Sequence, residues 1–487
     1  MTLRNRPVVA FDLSSRPSRR GDPPFVRNGC VVLDTAAVPV VPAAAPSPPP
    51  AEPADRPHVP SSTGAIRALG SNPRTAPIVL HPGDAMPTAR RVLYIVLLGA
   101  LTALGPFTVD TYLPAFPVLE ADFHTSSAAI QLTLTGTMIG FGLGQLLVGP
   151  VSDKFGRRVP LLVVTALNIV ASVMAALAPT LPLLGVARVL MGMGAAAGGV
   201  VAMAIVRDLF GGKRLVVMLS RLALVSGVAP VVAPLIGSAL LLVMPWRGIF
   251  LVLAAYGALM LVGAFVLIRE TLPPARRSEK GSTTVLQRYR GVLSDRVFIG
   301  IIIVAAMSFS GLFSYLSSSP FLFQQGYGFD AQQYGLLFAV NSVGVIIGVQ
   351  TGSRLAARFG PQWVLAFSTG GLFLASAAII VTDRLGLGLW GTIVPLFLFI
   401  TSCGFTFPCA QVLALDRHGR AAGTAASLLG AANFGVAGLI SPLVGLVAGG
   451  TGITPTTMAI VMVACAVVAI LSLWLIVRPR TVQQLAP

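Results

Sequence analysis

Two charged residues, Asp110 and Arg188, lie deep inside stretches of the chain that are otherwise apolar. A charge inside a bilayer costs about 2.5–3.5 kcal/mol on insertion scales, so such residues usually serve a function. A carboxylate there can take up and release a proton, because burial favours its neutral form and a nearby cation favours its ionised form. The two residues indicate proton-coupled chemistry inside a membrane, with a static structural pair as the alternative.

The spacing of the two charges predicts that they lie at the same depth. Nineteen residue steps lead from Arg91 to Asp110, and nineteen lead from Arg188 to Arg207. The two helices run in opposite directions, so at 1.5 Å per residue both charges lie about 28 Å from the same membrane end. We therefore predict direct or water-mediated coupling between Asp110 and Arg188. The alternative for Arg188 is that its side chain extends to the membrane interface.

A tight connector between two apolar stretches carries the pattern Gly149-Pro-Val-Ser-Asp153-Lys-Phe-Gly156-Arg157-Arg158. Glycine permits tight turns and close approach of the backbone. An acid among basic residues can pair with them or stabilise a helix end. The pattern is more specific than an ordinary charged connector, and it indicates a functional loop.

A further apolar stretch contains Ala229-Pro230-x-x-Ala233-Pro234-x-x-Gly237-Ser238. Prolines inside a helix bend it, so a simply kinked helix is the alternative to a specialised one. An aromatic and hydroxyl-rich stretch runs from Phe309 to Phe321, and such a surface can line a cavity for an amphipathic ligand. Packing against lipid or the core is an equal alternative for each ring.

Composition shows which elements must position these residues. The chain has 487 residues, of which 55% are hydrophobic and 10% charged, whereas soluble domains carry about 25% charged residues. About 20 apolar residues cross a bilayer as a helix. We predict an all-α membrane protein with spans at 92–116, 126–148, 159–179, 182–206, 215–243, 248–268, 297–324, 332–352, 362–382, 386–415, 422–448 and 454–477.

The longest connector divides the spans into six plus six, and Phe155-Gly156 after the second span is echoed by Phe359-Gly360 after the eighth. Two similar halves are typical of secondary transporters, which handle their substrate between the halves. We predict four segments: a disordered Pro/Ala-rich tail at 1–88, a first six-helix bundle at 90–268, a central loop at 269–296, and a second bundle at 297–480. An alternative is that translation starts at Met86.

The net charge of +17 is not typical of a nucleic-acid-binding face, because of where the charges lie. Outside the tail and Arg188, 22 Lys and Arg fall on one side of the predicted membrane and two on the other. This is the positive-inside pattern, so both termini are expected in the cytoplasm and no nucleic-acid partner is expected. The four cysteines show no metal spacing, and we expect no metal.

The Asp153 loop resembles the cytoplasmic-loop signature of the major facilitator superfamily. The segment around Arg188 is similar to the superfamily's fourth-helix motif, whose arginine is implicated in proton coupling, with Met191 where glutamine is frequent. The Pro230/Pro234 segment resembles its antiporter motif, with alanine or serine at several glycine positions. Together with the Asp110 segment, these features are closest to the Bcr/CflA family of drug-resistance transporters.

That resemblance implies a major facilitator fold with two six-helix bundles, in a bacterial inner membrane. It implies export of small drugs such as bicyclomycin, sulfonamides or phenicols, driven by inward proton flow and needing no cofactor. The expected partners are the drug, protons and the lipid bilayer, and a monomer is expected. The alternatives are a proton-coupled exporter of a metabolite or amino acid and, in another class, a membrane-embedded receptor or enzyme. An enzyme is disfavoured because the spans hold a single acid.

The resemblance and the residue types assign roles to four groups of residues. Proton coupling is assigned to Asp110 and Arg188. A conformational latch, which would hold the cytoplasmic side shut while the cavity faces outward, is assigned to Gly149, Asp153, Gly156, Arg157, Arg158 and Arg207. The antiporter helix is represented by Pro230, Pro234 and Gly237. The substrate cavity is assigned Tyr112, Phe309, Phe313 and Tyr315.

Overall fold

The computed structural model describes residues 83, 86–274, 285–418, 421–449 and 452–481. Within these ranges the chain forms twelve helices long and apolar enough to cross a membrane, and no β-strand occurs there. The predicted all-α membrane protein with twelve spans is therefore confirmed. Nearly all of the predicted tail lies outside the described residues.

The first half of the protein holds six of these spans. A short 3-10 turn, Leu113–Ala115, joins the first two helices into one crossing. The helices of this half are α1 (Thr88–Asp110), α2 (Phe116–Asp122), α3 (Ser127–Phe155), α4 (Arg158–Ala176), α5 (Leu181–Leu209), α6 (Gly212–Val243) and α7 (Trp246–Leu267).

The second half holds the other six spans, preceded by a short helix of the central connector. Single π-helical turns, Phe321–Gly326 and Ser472–Val477, extend two of its helices. The helices are α8 (Val285–Leu293), α9 (Arg296–Pro320), α10 (Ala331–Phe359), α11 (Pro361–Arg384), α12 (Gly388–Asp416), α13 (Ala422–Ile440), α14 (Leu443–Ala448) and α15 (Pro455–Leu471).

Local sequence explains where several helices begin and end. The Ser126 side chain accepts a hydrogen bond from Ala129 N at the start of α3, and Asp330 forms a capping box with Gln333 at the start of α10. Both α3 and α10 end at a glycine with positive φ, 94° at Gly156 and 87° at Gly360. Glycine adopts this backbone region without steric cost. The two halves thus share a turn at the position of the internal repeat.

Small residues set the closest helix contacts. A Cβ added at Gly140 of α3 would lie 2.0 Å from the Val189 carbonyl oxygen of α5, and one at Gly192 of α5 would lie 2.1 Å from the Thr137 carbonyl oxygen of α3. Only glycine permits so close a crossing. The halves contact each other mainly through α3 with α13 and through α6 with α10.

We call the membrane end that carries Asp153, Arg157 and Arg207 the basic end, and the end that carries Glu120 and Asp122 the opposite end. The structure places one further charge inside a span, besides the two deep charges named in the sequence analysis. Arg221 lies inside α6, nine residues after its first residue, and is exposed.

Candidate functional site

A cavity of about 1440 Å³ lies between the two halves. Its wall reaches from the basic end, at Asp153 and Arg207, to the level of Gly105 and Phe309. Helices α1, α3 and α5 supply most of the wall from the first half, and α9, α12 and α13 supply it from the second. The cavity therefore gives access to the membrane interior from the basic end.

Aromatic rings cluster at the inner part of this cavity. Phe141 stacks on Phe434 with ring centroids 4.8 Å apart, and Phe309 meets Phe434 edge-on at 5.0 Å. Phe407 of the cavity wall contacts Phe309 at 5.8 Å. The carboxamides of the wall belong to Gln145, Gln411 and Asn433. This wall can hold an amphipathic molecule, because rings supply apolar area and amides supply hydrogen bonds.

The structure separates the four predicted cavity residues. Phe309 lines the cavity, and Phe313 lies behind it with ring centroids 4.7 Å apart. Tyr112 and Tyr315 are buried in the core and are not part of the cavity wall. Phe309, Phe313 and Tyr315 lie on α9, and Tyr112 lies in the turn after α1. The sequence does not define which side of a helix meets the cavity.

Asp110 ends α1, one helical turn beyond Pro106 of the cavity wall. The residue is 5% exposed. No hydrogen bond or ion pair to it is seen in the described ranges. The turn Leu113–Ala115, just after Asp110, packs on α9 and α10 of the second half, the helices that carry Tyr315 and Tyr334. The carboxylate of Asp110 therefore lies near the interface between the two halves.

Arg188 is completely buried in the first half. Its Nη1 donates to the Thr108 carbonyl at 2.8 Å, and its guanidinium lies 4.4 Å from the Tyr112 ring centroid and 5.7 Å from that of Phe250. Its Nε and Nη2 have no hydrogen-bond partner in the part of the chain that the structure describes. These contacts exclude the interface-reaching alternative for this conformation.

The predicted direct coupling of Asp110 with Arg188 is not present in this structure. Arg188 bonds to the Thr108 carbonyl, and no hydrogen bond or ion pair of the described residues joins its guanidinium to the Asp110 carboxylate. Equal depth was therefore insufficient for a contact between the two charges. Water-mediated coupling and coupling in another conformation stay predictions.

A buried polar network in the second half was missed by the sequence analysis. The Asn341 Nδ2 donates to the Tyr315 hydroxyl at 3.0 Å, and the Ser319 and Tyr334 hydroxyl oxygens lie 3.0 Å apart. All four residues are at most 2% exposed. The hydroxyl-rich stretch of α9 was a usable signal, but Asn341 and Tyr334 lie on another helix and give no pattern of their own.

Arg157 is the centre of the loop at the basic end. Its Nη1 lies 2.6 Å from Asp153 Oδ1 and 2.8 Å from Ser152 Oγ, and its Nε lies 3.0 Å from Asp208 Oδ2. Its backbone N–H donates to Glu270 Oε1 at 2.9 Å. Burial alone would lower the pKa of Arg157, but hydrogen bonds to Asp208 and Asp153 outweigh this and raise its pKa. The guanidinium therefore stays charged.

The other predicted latch residues have separate surroundings. Arg158 Nη2 donates to the Phe265 carbonyl at 2.9 Å, and Gly149 lies on the cavity wall with open space where a Cβ would be. Arg207 lines the cavity mouth. Asp208 and Glu270 join the Arg157 network although neither was among the predicted latch residues. These contacts lie within the first half and its junction with the central loop, so the latch role stays a prediction.

Helix α6, which carries the predicted antiporter motif, touches the segment that carries Asp110. Pro230 and Pro234 lie inside α6, and a Cβ added at Gly237 would lie 2.0 Å from the Thr111 carbonyl oxygen. Because Thr111 follows Asp110 directly, α6 fixes the backbone beside the carboxylate. This contact gives a physical reason for glycine at position 237.

Contacts between the halves close the opposite end. Gln325 Nε2 donates to Glu120 Oε2 at 2.6 Å, and Gln324 Nε2 donates to the Pro114 carbonyl at 3.1 Å. The cavity is thus open at the basic end and shut at the other.

No group of three or more His, Cys, Asp or Glu side chains in the described ranges is placed to hold a metal ion.

Comparisons with known proteins agree with this architecture. Residues 95–442 match the model of the Major Facilitator Superfamily. The uncharacterized MFS-type transporter YdgK of Bacillus subtilis is 34% identical over 82% of this chain and 98% of its own length. A bicyclomycin resistance protein homolog of Haemophilus influenzae is 30% identical over 78% of this chain and 95% of its own length. The multidrug resistance protein MdtL of Escherichia fergusonii is 29% identical over 80% of this chain and 97% of its own length.

Solved structures share the fold at low sequence identity. A bacterial homolog of the human lysosomal transporter Spinster, in an inward-facing and unoccupied conformation, gives a TM-score of 0.64 at 17% identity, covering 82% of this chain and 100% of that one. A D-xylose-proton symporter gives 0.61 at 17% identity, covering 81% and 99%. The resemblance to drug-resistance transporters is confirmed by the two resistance proteins above, and the chain belongs to the Major Facilitator Superfamily.

Proposed function

We propose that this transporter is a drug/proton antiporter that exports small drugs by alternating access. The observation that carries the proposal is the position of Asp110. It is an acid buried inside the first span, one helical turn beyond the inner wall of a cavity that is open at one end only. A carboxylate so placed can exchange a proton as the cavity changes sides, because its surroundings change with the conformation.

The distribution of positive charge supports an orientation with the basic end in the cytoplasm. The structure then corresponds to an inward-facing state of a multi-pass protein of the bacterial inner membrane, with both termini cytoplasmic. In the proposed cycle, drug enters from the basic end and Asp110 releases its proton to that side. Protonation from the outside favours the return, since only interactions that differ between states shift their balance. The proton gradient is the energy source, and the working unit is a monomer.

The cavity wall supports a substrate with aromatic or apolar surface and hydrogen-bonding groups. The rings of Phe141 and Phe309 line its inner part beside the carboxamides of Gln145 and Asn433, while its charged residues, such as Asp153 and Arg207, lie at the mouth. Bicyclomycin, sulfonamides and phenicols have this amphipathic character. The names of the resistance relatives support drugs over the alternative, a metabolite or amino acid.

Replacing Asp110 tests the coupling. We expect Asp110→Asn to abolish drug-induced proton movement and gradient-driven drug uptake in everted vesicles, because the amide cannot exchange a proton. The matched control is Asp122→Asn at the opposite end, where Asp122 pairs with Arg247 at 2.9 Å in an exposed position. It should retain both activities at equal abundance. Undiminished exchange by Asp110→Asn, or export by the wild type without a gradient, would overturn the proposal.

A further inference from the structure

A carbonyl group near the cavity has lost its helical partner. Pro150 lies inside α3, and proline has no N–H, so the carbonyl of Leu146 four residues earlier receives no helical hydrogen bond. The hydroxyl of Tyr289 supplies the missing donor at 3.1 Å. Tyr289 belongs to α8 in the central connector, and it lines the cavity.

This hydrogen bond joins the two halves at the basic end. Helix α8 packs on α9 and α13 of the second half, where Val292 is 2% exposed in a core that includes Phe298. Leu146 belongs to the first half. Other hydrogen bonds between the halves, such as that from Gln325 to Glu120, lie at the opposite end. The Tyr289–Leu146 bond therefore spans the side on which the cavity is open.

The second half contains a similar arrangement that stays within one half. Pro395 lies inside α12 and frees the carbonyl of Gly391, and the Oγ1 of Thr382 in α11 lies 2.5 Å from that oxygen. A buried carbonyl needs a partner, and a hydroxyl from a neighbouring helix provides it in both places. Only the bond at Leu146 links parts that move relative to each other during alternating access.

We propose that Tyr289 is a positioning residue of the transport cycle, a tether that stabilises the state with an open basic end. This inference rests on the proposed alternating access. When the mouth closes, α3 must move relative to α9 and α13, and α8 is packed on the latter two. The Tyr289–Leu146 bond then breaks, so it contributes to one state and not to the other. Such a bond changes the ratio of the two states roughly threefold to tenfold.

The test measures the distance between the halves at the basic end by double electron–electron resonance spectroscopy. Spin labels are placed on cysteines at Val159 of α4 and Phe359 of α10, which are 57% and 54% exposed, after the native cysteines are replaced. We expect Tyr289→Phe to move the population toward the shorter distance by roughly threefold to tenfold, since it removes the donor and keeps the ring. Thr382→Val is the matched control and should leave the distances unchanged.

The same substitution in a Pro150→Ala variant tests whether the Leu146 carbonyl is the acceptor that matters. Pro150→Ala restores an N–H that can satisfy the Leu146 carbonyl within α3, so Tyr289→Phe should shift the populations less than about twofold there. An unchanged distribution in Tyr289→Phe, an equal shift in both backgrounds, or an equal shift in Thr382→Val would each overturn the tether. The measurement needs neither drug nor proton gradient. If the drug/proton antiport proposal were wrong, the distance measurement would still test the tether. A single fixed distance in every variant would overturn the tether and alternating access together.

Discussion

Arg157 is shared by two carboxylates that differ in exposure. The side chain of Asp153 is 53% exposed and that of Asp208 is 19% exposed. An exposed ion pair contributes about 0–1 kcal/mol because water and salt screen it. A partly buried partner contributes more, since its loss leaves a desolvated guanidinium donor unpaired. The Asp208 carboxylate also accepts a hydrogen bond from Thr271 Oγ1 at 3.2 Å. Removing this carboxylate therefore leaves two donors, on Arg157 and Thr271, without their acceptor.

We therefore expect Asp208→Ala, which removes the acceptor, to lower the thermal stability of the purified protein more than Asp153→Ala. The first loss should be about 1–3 kcal/mol, the cost of unpaired buried donors, and the second below about 1 kcal/mol. Thermal unfolding in detergent compares them. Asp153→Asn should slow transport without removing drug binding if the loop acts as a latch in the other conformation. Equal destabilisation by the two variants would contradict the ranking by burial.

At the residue scale the sequence predicts which charges are deep, but not what they face. Apolar stretches and counting along a helix place Asp110 and Arg188 at one depth. The direction of a side chain around its helix depends on how that helix is rotated against its neighbours, which a single sequence does not contain. For this reason the sequence did not predict that Arg188 contacts the Thr108 carbonyl and the Tyr112 ring and not Asp110.

Helix α6 connects the antiporter motif to the Asp110 segment through one glycine. Gly237 approaches the Thr111 backbone so closely that any side chain must displace one of the two segments. By contrast, nothing lies within 4 Å of a Cβ added at Gly227 of the same helix. The two positions therefore form a matched pair in which only the approach to the first span differs.

We expect Gly237→Ala to lower stability by about 1–3 kcal/mol, the usual cost of overpacking, and to impair proton-coupled export. Gly227→Ala should be neutral or stabilising by up to about 1 kcal/mol, because alanine favours a helix. Unfolding and drug-induced proton movement are measured on both variants. A normal Gly237→Ala variant would show that the contact with Thr111 can relax at no cost, and would remove this reason for the glycine.

At the element scale the sequence predicts the number and type of spans because each contains enough apolar residues to cross a bilayer. It also predicts the paired turns at Gly156 and Gly360, since glycine favours their backbone region. The boundaries of two spans differ from the prediction, because α3 and α10 continue to Phe155 and Phe359, beyond the predicted ends at 148 and 352. The polar ends of these helices lie at the interface, where hydropathy no longer marks the helix.

The conformational state belongs to the whole molecule, and composition does not reveal it. The same spans can form a cavity open at either end, and small differences in contact energy decide between them. In the state described here, contacts such as Gln325 with Glu120 hold the opposite end shut. Alternating access requires those contacts to open in each cycle.

A covalent bond at this closure should therefore stop transport. We expect the Glu120→Cys/Gln325→Cys variant, whose native side-chain ends meet at 2.6 Å, to lose drug export when a bifunctional thiosulfonate reagent bridges the two thiols. Export should return when a reductant cleaves the bridge. The matched control is Asp383→Cys/Thr456→Cys, which replaces a hydrogen-bonded pair between α11 and α15 within the second half. The same bridge in this control should leave export intact, because those helices move together as the halves rock. Mass spectrometry verifies each cross-link, and vesicle uptake measures export before and after reduction. Full export by the cross-linked Glu120/Gln325 variant would mean that the opposite end need not open, and would contradict alternating access through this interface.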